Sequence, residues 1–397
     1  MSKKTVAFTL IALFFITLIL RPPIAQIGPL LHEMTSSLKL NPAEVGLLAS
    51  APVFTFGAGA FLAPWLLRRY GLNHAILLML VVIFLSIALR SWFGYPVLLT
   101  GTILIGLAIA ITNVLLPTFL RVDFPKQTVI LTSGYTTMLA ITASVAAAIS
   151  VPVSEALGGW EFSLLMTVVP ALLAVLFWYP RIREAEPHVR IPDHAAKADT
   201  RAVYGSLIAW ASLTFFGIQS MNFYIVLSWL PTMLISIGVD PGAAGGFLGL
   251  ATAIGIPTAM LLAPVMNRLK SISWLALGFS ILSMSGFASL SLFLAAGNPT
   301  NTFWLISSCV LISVGQTATF PLSLTIISTR AHGQSKTTVL SAMSQGWGYL
   351  LSGVGVFAIG AFAVSTGSWA AGVMVLVFTG VIQAAAGFYG GGNRYIQ

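Results

Sequence analysis

Long apolar stretches separated by short polar or charged segments dominate the chain. A helix that crosses a bilayer needs about 20 mostly apolar residues, and the chain contains twelve stretches of that kind. The predicted spans are 6–31, 43–67, 75–93, 97–120, 128–153, 161–180, 205–235, 243–266, 272–296, 302–329, 337–364 and 369–390. The pattern predicts an all-α polytopic membrane protein with twelve transmembrane helices.

Composition supports this prediction and excludes other classes of protein. The 397 residues are 57% hydrophobic and only 7% charged, whereas about a quarter of the residues in a soluble domain are charged. A water-soluble globular fold and a disordered chain are therefore both excluded, because the sequence is far too apolar for either.

Lysine and arginine are distributed unevenly between alternate loops. If the N-terminus lies in the cytoplasm, the inner segments contain 16 of the 19 Lys and Arg residues, and the outer loops contain only Lys39. The positive-inside rule then predicts that both termini are cytoplasmic. The formal net charge of +9 is dispersed over all the inner loops, so it indicates membrane orientation and no nucleic-acid partner is expected.

One long polar segment divides the chain near its midpoint. Residues 181–204 carry mixed charges and two prolines, a composition typical of a linker. The sequence therefore predicts an N-terminal six-helix bundle (1–180), a cytoplasmic linker (181–204) and a C-terminal six-helix bundle (205–397).

The two halves share a local pattern. Asn41-Pro42 leads to Ala63-Pro64 in the first half, and Asp240-Pro241 leads to Ala263-Pro264 in the second. An Asx-Pro pair is typical of a helix N-cap followed by a proline in the first turn. Parallel repeats of this kind occur in transporters that bind substrate between their halves, although chance similarity between apolar helices would look alike.

Several stretches resemble a known family. They are Leu20-Arg21-Pro22-Pro23, Gly28-Pro29-Leu30-Leu31, Asn113-Val114-Leu115-Leu116-Pro117, Asp123-Phe124-Pro125, Trp229-Leu230-Pro231 and the segment from Gly217 to Tyr224. With twelve spans in two halves, the chain resembles the major facilitator superfamily and, within it, the cyanate permease and 2-nitroimidazole transporter family. The resemblance implies a multi-pass protein of a bacterial-type inner membrane that moves a cyanate-like or nitroimidazole-like compound by alternating access.

The inner loop between spans two and three departs from the superfamily pattern. That loop usually reads Asp-Arg-x-Gly, whereas this chain has Arg68-Arg69-Tyr70-Gly71. Because the acidic residue is missing, we do not assign a charge-relay role in gating to this loop.

Two arginines, Arg21 and Arg90, lie inside predicted spans, while all ten acidic residues lie in loops or at helix ends. An arginine at membrane depth costs at least about 2.5 kcal/mol. Each lies 15 residues beyond the estimated inner end of its span, so both should have a similar depth of about 22 Å. A bound anion or a nitro group would suit the planar guanidinium. Alternatively, one arginine bonds carbonyls at the helix break of Pro22-Pro23 or extends to the membrane surface.

The remaining candidate substrate-binding residues are uncharged polar or aromatic side chains within the spans. They are Asn113, Tyr135, Gln219, Asn222, Tyr224, Trp229, Gln316, Gln345 and Tyr349. Amides and phenols at this depth can instead join helices, at about 0.6 kcal/mol each. Convergence of several on one site with the arginines would indicate substrate binding.

Catalytic, metal-binding and cofactor-binding patterns are not found in the sequence. No histidine is paired with a carboxylate at metal-ligand spacing, the only cysteine is Cys309, and no G-x-x-x-x-G-K-[ST] loop occurs, so no ATP drive is expected. We therefore predict no enzyme activity, no metal and no cofactor. The expected partners are a small anionic or polar solute and the lipid bilayer, and the expected state is a monomer.

The leading hypothesis is a secondary active or facilitative transporter of a small anionic or compact polar solute. The lack of a buried acid or histidine favours facilitated diffusion or exchange over proton symport. The alternative within the superfamily is a multidrug efflux transporter, which usually carries a buried carboxylate. A membrane-embedded enzyme would need a nucleophile–base pair or clustered carboxylates, and a sensor would need a larger soluble segment than residues 181–204.

Overall fold

The computed structural model describes residues 3–124, 127–183, 197–266, 268–269, 271–298, 301–332 and 334–396. These residues are almost entirely helical, and their one β contact is an isolated bridge between Ala331 and Ile396. The chain divides into two compact units, Met1–Ile191 (the N-terminal unit) and Pro192–Gln397 (the C-terminal unit).

The N-terminal unit consists of helices of very different lengths. They are α1 (Lys3–Leu20), α2 (Pro22–Ala25), α3 (Ile27–Leu38), α4 (Pro42–Tyr70), α5 (Leu72–Leu89), α6 (Gly94–Asp123), α7 (Thr128–Leu157), α8 (Trp160–Leu165) and α9 (Val168–Trp178). A 3₁₀ turn, Tyr179–Arg183, follows α9.

The C-terminal unit begins with one short helix and continues with six long ones. They are α10 (Lys197–Tyr204), α11 (Leu207–Ile235), α12 (Pro241–Met266), α13 (Ser273–Ala296), α14 (Thr302–Thr329), α15 (Gln334–Thr366) and α16 (Trp369–Gly390).

The helices confirm the predicted polytopic all-α fold. Eleven segments of the described chain are long and apolar enough to cross a membrane. The remaining predicted span, 243–266, coincides with α12. The chain is thus a multi-pass membrane protein, and these eleven segments together with α12 correspond to the twelve predicted spans.

Two predicted continuous spans are interrupted. The first, 6–31, is divided into α1, α2 and α3 and continues to Leu38, because Pro22 and Pro23 have no N–H to bond the carbonyls four residues earlier. The sixth, 161–180, is divided into α8 and α9, and Pro170 in the first turn of α9 has the same effect.

Helices α4 and α12, which correspond to the second predicted span of each half, begin with the predicted cap. Asn41 Oδ1 accepts from the Glu44 N–H at 3.0 Å, and the Glu44 carboxylate accepts from the Asn41 N–H at 2.9 Å. In the other unit Asp240 Oδ2 accepts from the Ala243 N–H at 3.0 Å. The shared Asx-Pro pattern is therefore confirmed as a shared helix start.

The predicted linker falls partly outside the described residues, which omit 184–196. Its last eight residues form α10. Val203 of α10 is fully buried among side chains of the C-terminal unit such as Phe216, Leu340 and Ile396. This end of the predicted linker therefore packs as part of the C-terminal unit.

Glycines of α15 allow this helix to approach α11 closely. A Cβ at Gly348 would lie 2.7 Å from the Phe216 ring, and one at Gly360 would lie 2.4 Å from the Trp229 ring. The absence of side chains at these positions therefore permits close packing of α15 against α11.

Candidate functional site

The break in the first span places Arg21 at the junction of α1 and α2. Arg21 is the N-cap residue of α2 and the residue before two prolines, a position where the α conformation is disfavoured. Its side chain is partly exposed. The guanidinium interacts electrostatically with Tyr135 of α7, a nearly buried residue. Two residues predicted for the site are thus brought together.

Hydrogen bonds between side chains and backbone connect this break to α7 and α8. Thr142 of α7 donates its hydroxyl to the Thr17 carbonyl at 3.1 Å. Gln26, between α2 and α3, donates its amide N–H to the Ser163 carbonyl of α8 at 2.7 Å. Such bonds satisfy polar groups that an interrupted helix leaves open in a membrane.

Arg90 reaches the same break from the C-terminal end of α5. Its Nη1 donates to the Pro23 carbonyl at 3.1 Å, and its side chain is 0% exposed. Nε and Nη2 have no hydrogen-bond partner in the described part of the chain. The contact agrees with the expectation that the two arginines lie at a similar depth. For Arg90 it also matches the alternative to substrate binding, in which an arginine bonds a carbonyl at the helix break.

Asn113 of α6 is partly exposed, and its Oδ1 is buried without a hydrogen-bond partner among the described residues. An unpaired amide oxygen in a membrane helix is costly. Asn113 therefore retains an unused acceptor that is enclosed in this conformation.

In the C-terminal unit, amides connect three helices. Gln219 of α11 donates to the backbone carbonyl of Gln316 in α14 at 3.4 Å, and Gln316 Nε2 donates to Ser283 Oγ of α13 at 2.7 Å. All three side chains are buried. The predicted pair Gln219 and Gln316 therefore does converge, and part of its bonding capacity joins helices.

Gln383 of α16 was missed by the sequence reasoning. Its Oε1 accepts from Asn222 Nδ2 at 3.1 Å, and both residues are buried. Asn222 Oδ1 and Gln383 Nε2 have no partner among the described residues. An amide in the otherwise apolar predicted span 369–390 was the available signal, since such residues in a membrane helix usually face a polar partner.

Aromatic residues of α11 and α15 lie close together. The rings of Tyr224 and Tyr349 are 6.3 Å apart, and the Tyr349 ring is 5.1 Å from that of Phe216. Trp229 is buried and donates its indole N–H to the Val356 carbonyl at 2.9 Å. Trp229 therefore already joins α11 to α15.

Gln345 of α15 makes a contact within its own helix. Its Nε2 donates to Ser341 Oγ at 2.7 Å, and its side chain is partly exposed. Among the described residues, no hydrogen bond connects it to the amides of α11 and α14.

Two carboxylates have structural contacts that the sequence did not reveal. Glu33 of α3 accepts from the Ser154 hydroxyl at 2.6 Å and from the Trp160 N–H at 3.0 Å, which ties α3 to α7 and α8. Asp123, the last residue of α6, forms a buried ion pair with Arg181 of the 3₁₀ turn. The partners are far apart in sequence, so no local pattern indicates either contact.

Comparisons with known proteins agree with this fold. The family model for the Major Facilitator Superfamily matches residues 6–355. Over its full length the chain is 33% identical to a Bacillus subtilis (strain 168) transporter described as uncharacterized, YycB, covering 96% of that protein. It is 30% identical over its full length to the 2-nitroimidazole transporter of Escherichia coli (strain K12), covering 98% of it. It is 24% identical to the cyanate transport protein CynX of the same organism over 91% of each chain.

Solved structures with the same fold include two transporters. A D-xylose-proton symporter superposes with a TM-score of 0.78 at 14% identity, with 98% of this chain and 97% of that one covered. A bacterial homolog of the human lysosomal transporter Spinster, inward-facing and unoccupied, also gives 0.78, at 15% identity and 98% coverage of both chains. The predicted resemblance and the prediction of a transporter rather than an enzyme are thereby confirmed. The chain belongs to the Major Facilitator Superfamily of membrane transporters.

Proposed function

We propose that the protein is a secondary active or facilitative transporter that moves a small anionic or compact polar solute across a bacterial inner membrane by alternating access. The observation that carries the proposal is the partly exposed Arg21 at the break between α1 and α2, whose charge interacts electrostatically with Tyr135. We further propose that the protein acts as a monomer with both termini in the cytoplasm.

The chemistry of this pair suits a planar group with acceptor oxygens or nitrogens. A guanidinium presents several N–H donors in one plane, and a phenol can donate or accept. Broken helices near the middle of a transporter often form the substrate site, because their free backbone groups add donors and acceptors. Cyanate and 2-nitroimidazole, named for two relatives, are both compact solutes of this kind.

The C-terminal unit contains uncharged groups that could bind a polar solute. Gln219, Asn222 and Gln316 are buried amides, and the last two retain an unpaired oxygen among the described residues. Tyr224 and Tyr349 lie on α11 and α15 with their rings in contact distance. Within the C-terminal unit these groups provide neutral hydrogen-bonding capacity, which favours a small polar cargo over a bulky apolar one.

The mode of coupling follows from the carboxylates. Glu33 accepts two structural hydrogen bonds and Asp123 is paired with Arg181. Acidic groups that hold helices together are poor candidates for a proton relay, which supports exchange or facilitated diffusion.

The first experiment is a ligand screen with the purified full-length protein. Thermal unfolding would be measured with cyanate, 2-nitroimidazole, small carboxylates and, as a contrasting class, lipophilic cations. A ligand that binds the folded state raises the unfolding temperature with concentration. We expect stabilisation by compact anions or nitro compounds, followed by exchange of the same ligand in proteoliposomes. Selective stabilisation by lipophilic cations would contradict the proposal and favour multidrug efflux.

A further inference from the structure

The contact between Arg90 and the break of the first span assigns a role to a residue that does not touch the cargo. We propose that Arg90 is a positioning residue: its bond to the Pro23 carbonyl fixes α2 and thereby fixes Arg21 in the substrate site. This inference rests on the proposed function for the role of Arg21, and it deepens that proposal.

The Arg90 side chain is completely buried. Arg90 is 0% exposed, so no space large enough for a water molecule adjoins its side chain. A solute that reaches the partly exposed Arg21 does not reach Arg90 in this conformation. Any effect of Arg90 on binding must therefore pass through the groups that it contacts.

The Arg90 guanidinium contacts the short helix α2. Nη1 donates to the Pro23 carbonyl at 3.1 Å, and Pro23 is the second residue of a helix of only four residues. A helix this short has little stability of its own, so its position depends on neighbouring contacts. Arg21 immediately precedes α2, and holding Pro23 therefore also holds the backbone that carries the Arg21 side chain.

Arg90 is itself held in place by close packing against Gly101 of α6. A Cβ on Gly101 of α6 would lie 2.6 Å from Arg90 Cβ and 3.4 Å from its Cα. The missing side chain thus lets α6 press directly against the stem of Arg90. Because that approach is closer than a Cβ permits, an alanine at this position must shift α5 or α6 at the stem of Arg90, and we expect this shift to weaken the bond to the Pro23 carbonyl.

The cost of burying Arg90 supports a role for the contact. Nε and Nη2 are buried without hydrogen-bond partners among the described residues, and such groups are unfavourable in a low-dielectric interior. A simple apolar side chain would pack here at lower cost. The guanidinium has one feature that such a side chain lacks, a donor that reaches across to a carbonyl of a broken helix.

The test uses four variants of the full-length protein. Arg90→Gln removes the charge and shortens the side chain, Arg90→Lys keeps a charged donor, and Gly101→Ala displaces an unaltered arginine. Gly134→Ala on α7 is the matched control, because a Cβ there meets no atom within 4 Å. Affinity for the best ligand of the screen and the maximal exchange rate would be measured for each.

We expect Arg90→Gln and Gly101→Ala to weaken affinity about tenfold, the equivalent of one lost hydrogen bond to a charged group, with the maximal rate much less changed. Arg90→Lys should recover part of the loss, and Gly134→Ala should behave as wild type. If Gly101→Ala binds normally while both Arg90 variants lose binding, Arg90 contacts the cargo itself and the proposal is wrong. Wild-type affinity in Arg90→Gln would also overturn it.

A second readout does not require a substrate. Ala25 of α2 is nearly buried, and the native Cys309 is buried as well, so Ala25→Cys gives a thiol reporter with little background. Its reaction with a small methanethiosulfonate should be about fivefold faster in Arg90→Gln and Gly101→Ala than in the Gly134→Ala background, since one hydrogen bond no longer holds α2. Equal rates in all backgrounds would refute the positioning role. A different result would separate the two proposals. If Arg90→Gln and Gly101→Ala are labelled faster but the wild type binds no ligand, the positioning role stands and only the proposed function is refuted.

Discussion

The first long segment of each unit contains proline, yet the two segments differ in structure. In the N-terminal unit Pro22 and Pro23 divide the first span into α1, α2 and α3. In the C-terminal unit α11 continues through Pro231 for 29 residues without interruption. One proline removes a single backbone donor, whereas two in succession remove two donors and also restrict the preceding residue. Between these two segments, the single loss leaves the helix continuous and the double loss interrupts it.

The polar groups of the two segments differ accordingly. The broken segment is bonded by side chains that reach its backbone, such as Thr142 to Thr17 and Arg90 to Pro23. The intact α11 is bonded mainly through its own amide side chains, such as Asn222 to Gln383. The break thus combines positive charge with backbone contacts, while the intact helix offers only neutral groups. We expect binding to depend on the broken segment and helix association to depend on the intact one.

The largest expected effect is at Arg21. Arg21→Gln should lower the affinity for an anionic or nitro ligand about ten- to a hundredfold, because a charge-assisted hydrogen bond contributes about 1.5–3 kcal/mol. Arg21→Lys should lose less, since it keeps the charge but not the planar arrangement of donors. Ligand affinity and thermal unfolding would be measured on the same samples.

Arg69→Gln is the matched control for the Arg21 variants, because Arg69 is an exposed arginine at the end of α4. It should retain wild-type affinity. Normal affinity in Arg21→Gln would remove this residue from the site, and unfolding at a lower temperature with unchanged affinity would assign it a structural role.

The second prediction removes the difference between the two segments. The double variant Pro22→Ala/Pro23→Ala supplies the missing N–H groups and should let α1 and α2 join. Affinity should fall about tenfold, as expected when one charge-assisted contact is misplaced, while thermal stability is kept or raised. Pro231→Ala is the comparison, because α11 is already continuous, and it should leave affinity unchanged. Equal responses of the two variants would show that the break does not matter for binding.

The smallest expected effect concerns the amide pair of α11 and α16. Gln383→Leu should lower the free energy of unfolding by about 1 kcal/mol, because the buried Asn222 loses its partner. Adding Asn222→Leu should restore part of that loss, and the coupling free energy of the double-mutant cycle should be about 0.6 kcal/mol. Reversible unfolding in mixed micelles would provide these values. A coupling near zero, with a marked loss of affinity in Gln383→Leu, would move this pair from helix association to binding.

The sequence by itself determined the number of spans and the starts of α4 and α12, and Pro22-Pro23 marked a possible helix break inside a span that was predicted to be continuous. Hydrophobic length is a sum along the chain, so about 20 consecutive apolar residues predict a span without knowledge of neighbours. The capping of α4 and the interruption at Pro22-Pro23 likewise depend on residues within one helical turn. For the same reason Arg21 could be identified as a charged residue at a break before any contact was known.

Only the tertiary structure decided which polar groups meet. Arg90 and Pro23 are 67 positions apart, and Asn222 and Gln383 are 161 apart. Whether such groups face one another depends on how neighbouring helices are rotated and how closely they approach. The close approach of α5 and α6, for example, depends on the absence of a side chain at Gly101. In a membrane nearly every face of a helix is apolar, so hydrophobic periodicity gives little information on that rotation. The sequence could therefore locate the two arginines within predicted spans, but the packing of helices determined that Arg21 is left partly exposed and Arg90 is enclosed.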